Sequence, residues 1–172
     1  MLLSLDISTS IIGWALTEYP KSVTLTYGAW DMRNKNKYKN VFDKAQFIKS
    51  ELIKLTQQYQ ITKIIIEEPF KVFSGSKAAS SANTMAVLQK FNGIISWIVF
   101  DLLKTIPDYI GVKEARTKCK IKVPKGADAK ETAMRFLLDT EPRFVVAYTK
   151  SGNPAPKFYD MSDAIVLLKS QL

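Results

Sequence analysis

The chain is 172 residues long, the length of one average domain. It carries 25 Lys and Arg against 16 Asp and Glu, a formal charge of +9, with one Cys and no His. The missing histidines exclude Ser-His-Asp and Cys-His catalysis and any imidazole metal site, while the lone thiol, Cys119, excludes an internal disulfide framework and fits a reducing compartment. A hydrophobic fraction of 47% is ample for a core, so any chemistry has to come from carboxylates, Lys, Tyr or that thiol.

Residues 2–8 (LLSLDIS) read as a short buried strand carrying one carboxylate, Asp6. After the polar turn Ser8–Ser10, a second strand is expected over 11–18 and a third over 22–31, where Val23, Leu25 and Tyr27 alternate. Short turns make these three antiparallel neighbours. A basic connection (33–40) leads into a helix near 41–59 with Phe42, Ala45, Ile48, Leu52 and Leu55 on one face. The Ile run of 62–67 (TKIIIE) predicts a centrally buried strand, ended by Pro69. A Ser/Gly/Lys-rich loop (71–80) precedes a long helix near 81–104 containing Met85, Leu88, Phe91, Ile95 and Ile98, and Trp14 and Trp97 are assigned to the core. Asp108–Val112 supplies a fifth strand, and Ala127–Leu138 a helix that turns Ala133, Phe136 and Leu137 inward. Residues 140–157 form a connection with an extended piece, RFVVAY, before a closing helix near 159–171. This order predicts a single α/β domain over 1–172 with a mixed sheet. The N-terminus lacks a signal-peptide pattern, and the longest apolar stretch, Gly93–Leu103, is interrupted by Asp101 and too short for a bilayer. A soluble protein with no membrane partner is expected.

The charge is concentrated. Residues 33–49 hold six basic residues and one acid, and 113–130 hold seven and two, while the remainder is close to neutral. Such a surface points to a polyanion, nucleic acid first. A merely solvated Lys-rich face has the same composition, since Lys outnumbers Arg 21 to 4.

Five acids stand out against this background, and four of them can share one site. Asp6 interrupts an apolar strand, where Asp is rare unless paired or bound to metal. Glu67 and Glu68 end the most hydrophobic strand and point to opposite faces, so only one can share a site with Asp6. Asp160 and Asp163 are three apart at the start of the last helix and lie on one face; capping serves as well as ligation for that pair. With the first and fourth strands adjacent and the last helix across their ends, these carboxylates converge into an all-oxygen site suited to Mg²⁺ or Mn²⁺. Two such ions about 4 Å apart activate water on one side of a phosphodiester and steady the leaving oxygen on the other.

LDISTSIIGWALTE, IIIEEPF and YDMSDAIVLL resemble the three acidic motifs of RuvC-type Holliday junction resolvases, of the ribonuclease H-like superfamily, and most nearly the small phage-encoded branch. The likeness covers nearly the whole chain in the order and spacing of elements. It implies a ribonuclease H-like mixed five-stranded sheet flanked by helices. It further implies a Mg²⁺-dependent endodeoxyribonuclease, with Mn²⁺ able to substitute, that resolves four-way and other branched DNA by paired phosphodiester hydrolysis with two metal ions. The enzyme so implied is a homodimer without a small-molecule cofactor, at work in the cytoplasm of a bacterial host cell. By position, Asp6, Glu67, Asp160 and Asp163 match the metal ligands. Lys130 and Lys118 match two basic residues used near the scissile phosphate, with Lys120 and Lys122 as neighbouring DNA contacts. Phe70 matches an aromatic near the branch point, and Phe70 and Phe73 either stack on unpaired bases or cover a sheet edge. The helix 81–104, with Gln89 and Gly93, resembles the helix through which these enzymes dimerise. The connection 140–157 is longer than the family's, and Glu68 is either a supplementary ligand or exposed.

Competing readings are a YqgF-type nuclease acting on structured RNA and a non-catalytic junction-binding module. An actin-like kinase would need a duplicated, longer chain and a Gly-rich phosphate loop.

Overall fold

In the computed structural model, which describes residues 1–69 and 78–172, hydrogen bonding joins five strands into one mixed sheet ordered β3-β2-β1-β4-β5. These are β1 (Leu2–Ile7), β2 (Ile11–Thr17), β3 (Thr26–Asp31), β4 (Lys63–Glu67) and β5 (Asp108–Ile110). The first three run antiparallel through short turns, while β4 pairs parallel with both β1 and β5. The helices are α1 (Val41–Gln58), α2 (Ala78–Leu103), α3 (Val112–Lys118), α4 (Ala129–Thr140) and α5 (Lys157–Lys169).

Alternation along the strands sorts the side chains into two cores. Leu3, Leu5 and Ile7 of β1, with Ile12, Leu16, Ile64 and Ile66, pack against α1 and α2 through Ile48, Leu52, Phe91 and Ile95. Leu2, Ala15, Ile65 and Ile110 face the other way, onto α3, α4 and α5. On that second face the residues under α5 are small, and Ser4 Oγ donates to the Ala164 carbonyl at 2.7 Å, a contact 160 residues apart in sequence. The mixed sheet and the adjacency of the first and fourth strands are as expected.

Several boundaries differ. The third strand starts at Thr26, and Val23 is 69% exposed, because residues 22–25 belong to the turn after β2. Phe42 is exposed in the first turn of α1, under the Lys90 ammonium, rather than inward. Trp97 is 61% exposed and not in the core: Ile95, Ile98 and Val99 take the sheet-facing side of α2, which turns Trp97 outward. The basic stretch after β5 contains a helix, α3. Of RFVVAY only Tyr148 pairs, in an isolated bridge to Pro154. The apolar part of α2 is also longer than Gly93–Leu103. Residues Ala82–Leu103 are long and apolar enough by composition to cross a membrane, although Phe91, Ile95, Ile98 and Val99 are buried in the core.

The connection between α4 and α5 is stitched to the β2–β3 hairpin. Glu141 is buried, accepts from Arg143 Nε at 2.6 Å and Nη2 at 2.8 Å, and faces Lys169 Nζ at 2.9 Å. Arg143 also donates to the Val23 carbonyl at 2.8 Å, and the Tyr27 hydroxyl accepts from the Val145 amide at 2.9 Å. The hydrogen bond from Arg143, followed by Lys169, holds the Glu141 carboxyl down at about 2 against an ordinary 4.5. Because the folded value lies below the unfolded one, this stabilisation is full above the ordinary value and fades as pH falls toward the folded value. Glu141→Gln is expected to lower the Tm at neutral pH by about 5–10 °C, as removing one partner of a buried pair does. Melting both proteins from neutral pH down to pH 3 checks this, and the gap between them should narrow at the acid end.

Candidate active site

The elements that build the site are set by register. Asp6 lies opposite Gly13 across the β1–β2 ladder, and Leu5 is level with Ile66 across the β1–β4 ladder. The next residue of β4, Glu67, therefore lies beside Asp6 and on the same side as Ile65, facing α5. Asn92 of α2, itself buried, donates to the Glu67 carbonyl at 3.4 Å and steadies the end of the strand. Glu68 goes to the other side, where it lines a cleft of about 370 Å³ with Pro69, Gln89, Asn92 and Tyr109. It is outside the cluster.

Helix α5 delivers the remaining acids. Pro156 precedes it without a side-chain cap, and Asp160 and Asp163 lie within the helix rather than capping it. They face the sheet because α5 comes down onto β2 at Gly13. A Cβ there would stand 2.0 Å from the Asp160 carbonyl oxygen. Only glycine permits that approach.

Two cations meet the acids. Lys130, in the first turn of α4 behind the Asp128 N-cap, places Nζ 2.9 Å from Asp160 Oδ1, 3.3 Å from Asp163 Oδ2 and 3.9 Å from Asp6 Oδ2. Arg116 of α3 donates through Nη2 to Asp163 Oδ1 at 3.0 Å. Asp6, Asp163 and Arg116 are 5%, 2% and 9% exposed. Burial pushes the Asp6 carboxyl well above its ordinary range, and a hydrogen bond shared with Glu67, the Glu67 charge and Asp163 add to it. Burial also raises Asp160, against Lys130. For Lys130 burial works downward, but Asp6, Asp163 and Asp160 together outweigh it and hold the ammonium charged far above its usual range. Arg33, paired with Asp31 at the end of β3, adds a positive charge near Asp160.

The residues fit a hard divalent cation. All the acidic donors are oxygens, the preference of Mg²⁺ and Mn²⁺. Asp6 Oδ2 is buried and makes no hydrogen bond, and an ammonium already stands among three of the carboxylates. The acids are nevertheless spaced around that ammonium rather than at the roughly 2.0–2.1 Å of Mg²⁺ coordination. Among the described residues no three Asp, Glu or Cys side chains form a ready metal-holding group.

The structure brings together Asp6, Asp160, Asp163 and Lys130, with Glu67 against Asp6. Lys118 instead pairs with Glu114 of its own helix at 3.0 Å. Lys120 is exposed beyond α3, and Lys122 lines a separate cleft of about 660 Å³ beside α4. Phe70 and Phe73 lie outside the described residues. Burial pushes the Cys119 thiol up, so it is not activated by its lysine neighbours. Sequence reasoning missed Arg116, two residues before Lys118 in ARTKCKI. The signal available was indirect, since a buried Asp163 requires a partner.

The sequence matches no protein-family model and no curated protein. Solved structures do match. A Thermus thermophilus RuvC in complex with a Holliday junction substrate superposes with a TM-score of 0.62 at 10% identity, over 98% of this chain and 90% of that one. A second structure of Thermus thermophilus RuvC gives 0.61 at 10% identity, over 98% and 91%. The yeast mitochondrial Holliday junction resolvase Ydc2 gives 0.60 at 11% identity, over 99% and 76%. The chain has the RuvC-type, ribonuclease H-like fold.

Gly13→Ala has to lift α5 from the sheet, at about 1–3 kcal/mol. A fall in Tm of roughly 3–10 °C is expected by thermal melting. Gly111→Ala is the control, because nothing lies within 4 Å of the added Cβ; it should leave the Tm nearly unchanged.

Proposed function

We propose that this chain is a divalent-metal-dependent endonuclease that resolves four-way and other branched DNA. The observation that carries the reading is the gathering of carboxylates from β1, β4 and α5 at one point of a RuvC-type fold. Asp6, Glu67, Asp160 and Asp163 are the side chains that would hold Mg²⁺, with Mn²⁺ as a substitute. Cations held there supply activation of the attacking water and neutralise charge on the leaving oxygen. The protein does the positioning. Arg116 fixes the direction of Asp163, Gly13 lets α5 descend, and Asn92 steadies the Glu67 backbone. Lys130, half-exposed at the edge of the acid cluster, is counted among the catalytic groups as a cation for the scissile phosphate. Lys118, Lys120 and Lys122 form an exposed basic track for the DNA backbone, which fixes position rather than sequence. Phe70 and Phe73, in the segment after β4, are assigned to stacking on unpaired bases. The lone thiol suits the reducing bacterial cytoplasm as the place of action.

A four-way junction has two-fold symmetry, and paired cuts need two sites related in the same way. The dimer seam proposed is the outer stripe of α2, where Trp97 and Phe100 are exposed.

Labelled four-way, forked and duplex DNA, incubated with Mg²⁺, Mn²⁺ or chelator, tests the reading. Glu67→Gln and Asp163→Asn are expected to cut junctions about a thousandfold more slowly or less, while gel shifts show binding within a few-fold of wild type. Cleavage that ignores the acids would refute them as metal ligands, junction binding with no cleavage under any metal would leave only a junction-binding module, and preferential cutting of structured RNA would point to an RNA-processing nuclease. Trp97→Glu should elute as a monomer in size-exclusion chromatography and lose paired cuts.

A further inference from the structure

The two cations of the cluster are held very differently. Arg116 is enclosed, its side chain 11% exposed, and its Nη2 is committed to Asp163. Lys130 has a side chain 48% exposed and roots in the first turn of α4. It borders an open cleft of about 360 Å³ that it shares with Asp128, Glu131, Tyr159 and Asp160. Its stem has somewhere to go. Its ammonium, however, stands 2.9–3.9 Å from oxygens of Asp160, Asp163 and Asp6, three of the four acids assigned to metal. Buried carboxylates this close repel one another unless a cation lies among them. An ammonium and a divalent ion cannot both occupy that space, since they repel across the same oxygens.

We infer that Lys130 is an internal placeholder cation: it holds the carboxylates of β1 and α5 together until a divalent metal displaces its ammonium into the neighbouring cleft. The inference rests on the metal-dependent reading of the site and adds a competition to it. Metal affinity is then set by how readily one lysine yields. The acids stay assembled without metal, and Asp6 Oδ2, buried and lacking a hydrogen bond, is the oxygen the ammonium serves least well. Once displaced, the ammonium faces the cleft beside Tyr159 and Asp160, so a basic group is presented to a DNA phosphate only when the metal is in place.

Two measurements on the full chain test this. Calorimetric Mn²⁺ titration compares wild type with Lys130→Met and Lys130→Gln. Both variants are expected to bind Mn²⁺ about tenfold more tightly, because the competing charge is gone, and to melt lower without metal but gain more from Mg²⁺. Reductive methylation of the wild type, read by mass spectrometry, follows the amine itself. Lys130 should label several-fold faster with Mg²⁺ present, while Lys118 does not change. Unchanged or weaker Mn²⁺ binding in the variants, or Lys130 labelling that stays level or slows, overturns the inference; if neither variant folds, the wild-type labelling decides. Mn²⁺ binding that needs Asp6 and Asp163 but ignores Lys130 sinks the placeholder alone. If wild type binds no Mn²⁺, or Asp6→Asn and Asp163→Asn bind it equally well, the metal reading falls as well.

Discussion

At Gly13 helix α5 rests on the sheet with no side chain between them, the Asp160 carbonyl lying where any Cβ would be. That contact sets the height of the helix above β1 and β2. Neighbouring positions conform to it: Ser4 donates to the Ala164 carbonyl, and Ala15 is buried beneath the same helix. With a larger residue at any of these positions, Asp160 and Asp163 would stand further from Asp6. The site therefore depends on backbone-to-backbone packing before it depends on any charge. Small residues under a helix are a stability matter in most folds; here they also set distances between acids.

The packing creates an electrostatic problem that the rest of the site answers. Four carboxylates come within reach of one another in a largely dry place, and burial, more than their mutual repulsion, raises Asp6 and Asp160. Arg116 and Lys130 supply the opposing charge, one fixed and one with room to move. The two cations enter from different helices, α3 and α4, so the second layer of helices has a direct electrostatic task besides covering the sheet. Buried charge of this kind is a poor source of stability, and here it stands where chemistry is proposed.

Much of this was legible in the sequence, for identifiable reasons. An Ile run and an apolar β1 mark central strands, and parity along β4 separates Glu67 from Glu68 without any coordinates. The acids at 160 and 163 share a helix face by spacing alone. What escaped depended on neighbours distant in sequence. Arg116 reads as one more basic residue until α3 is seen packed beside α5. Phe42 and Trp97 read as core because a helical face rich in apolar residues does not say where its edge falls; α2 has apolar residues on both sides, and the sheet takes only one. Val23 fits an alternating strand but sits in the turn pinned by Arg143, a tie formed across 120 residues.

The sheet order has a consequence for synthesis. The chain's first strand lies in the middle, and α5, which supplies Asp160 and Asp163, follows every strand in the sequence. A chain emerging from the ribosome with its N-terminus first can pair β1, β2 and β3 early, yet it has only Asp6 and Glu67 in place until α5 arrives. Any nuclease activity is thereby withheld from the nascent protein. Assembly of the fold then sets the timing, because the acidic cluster is completed by the same step that seals the second core.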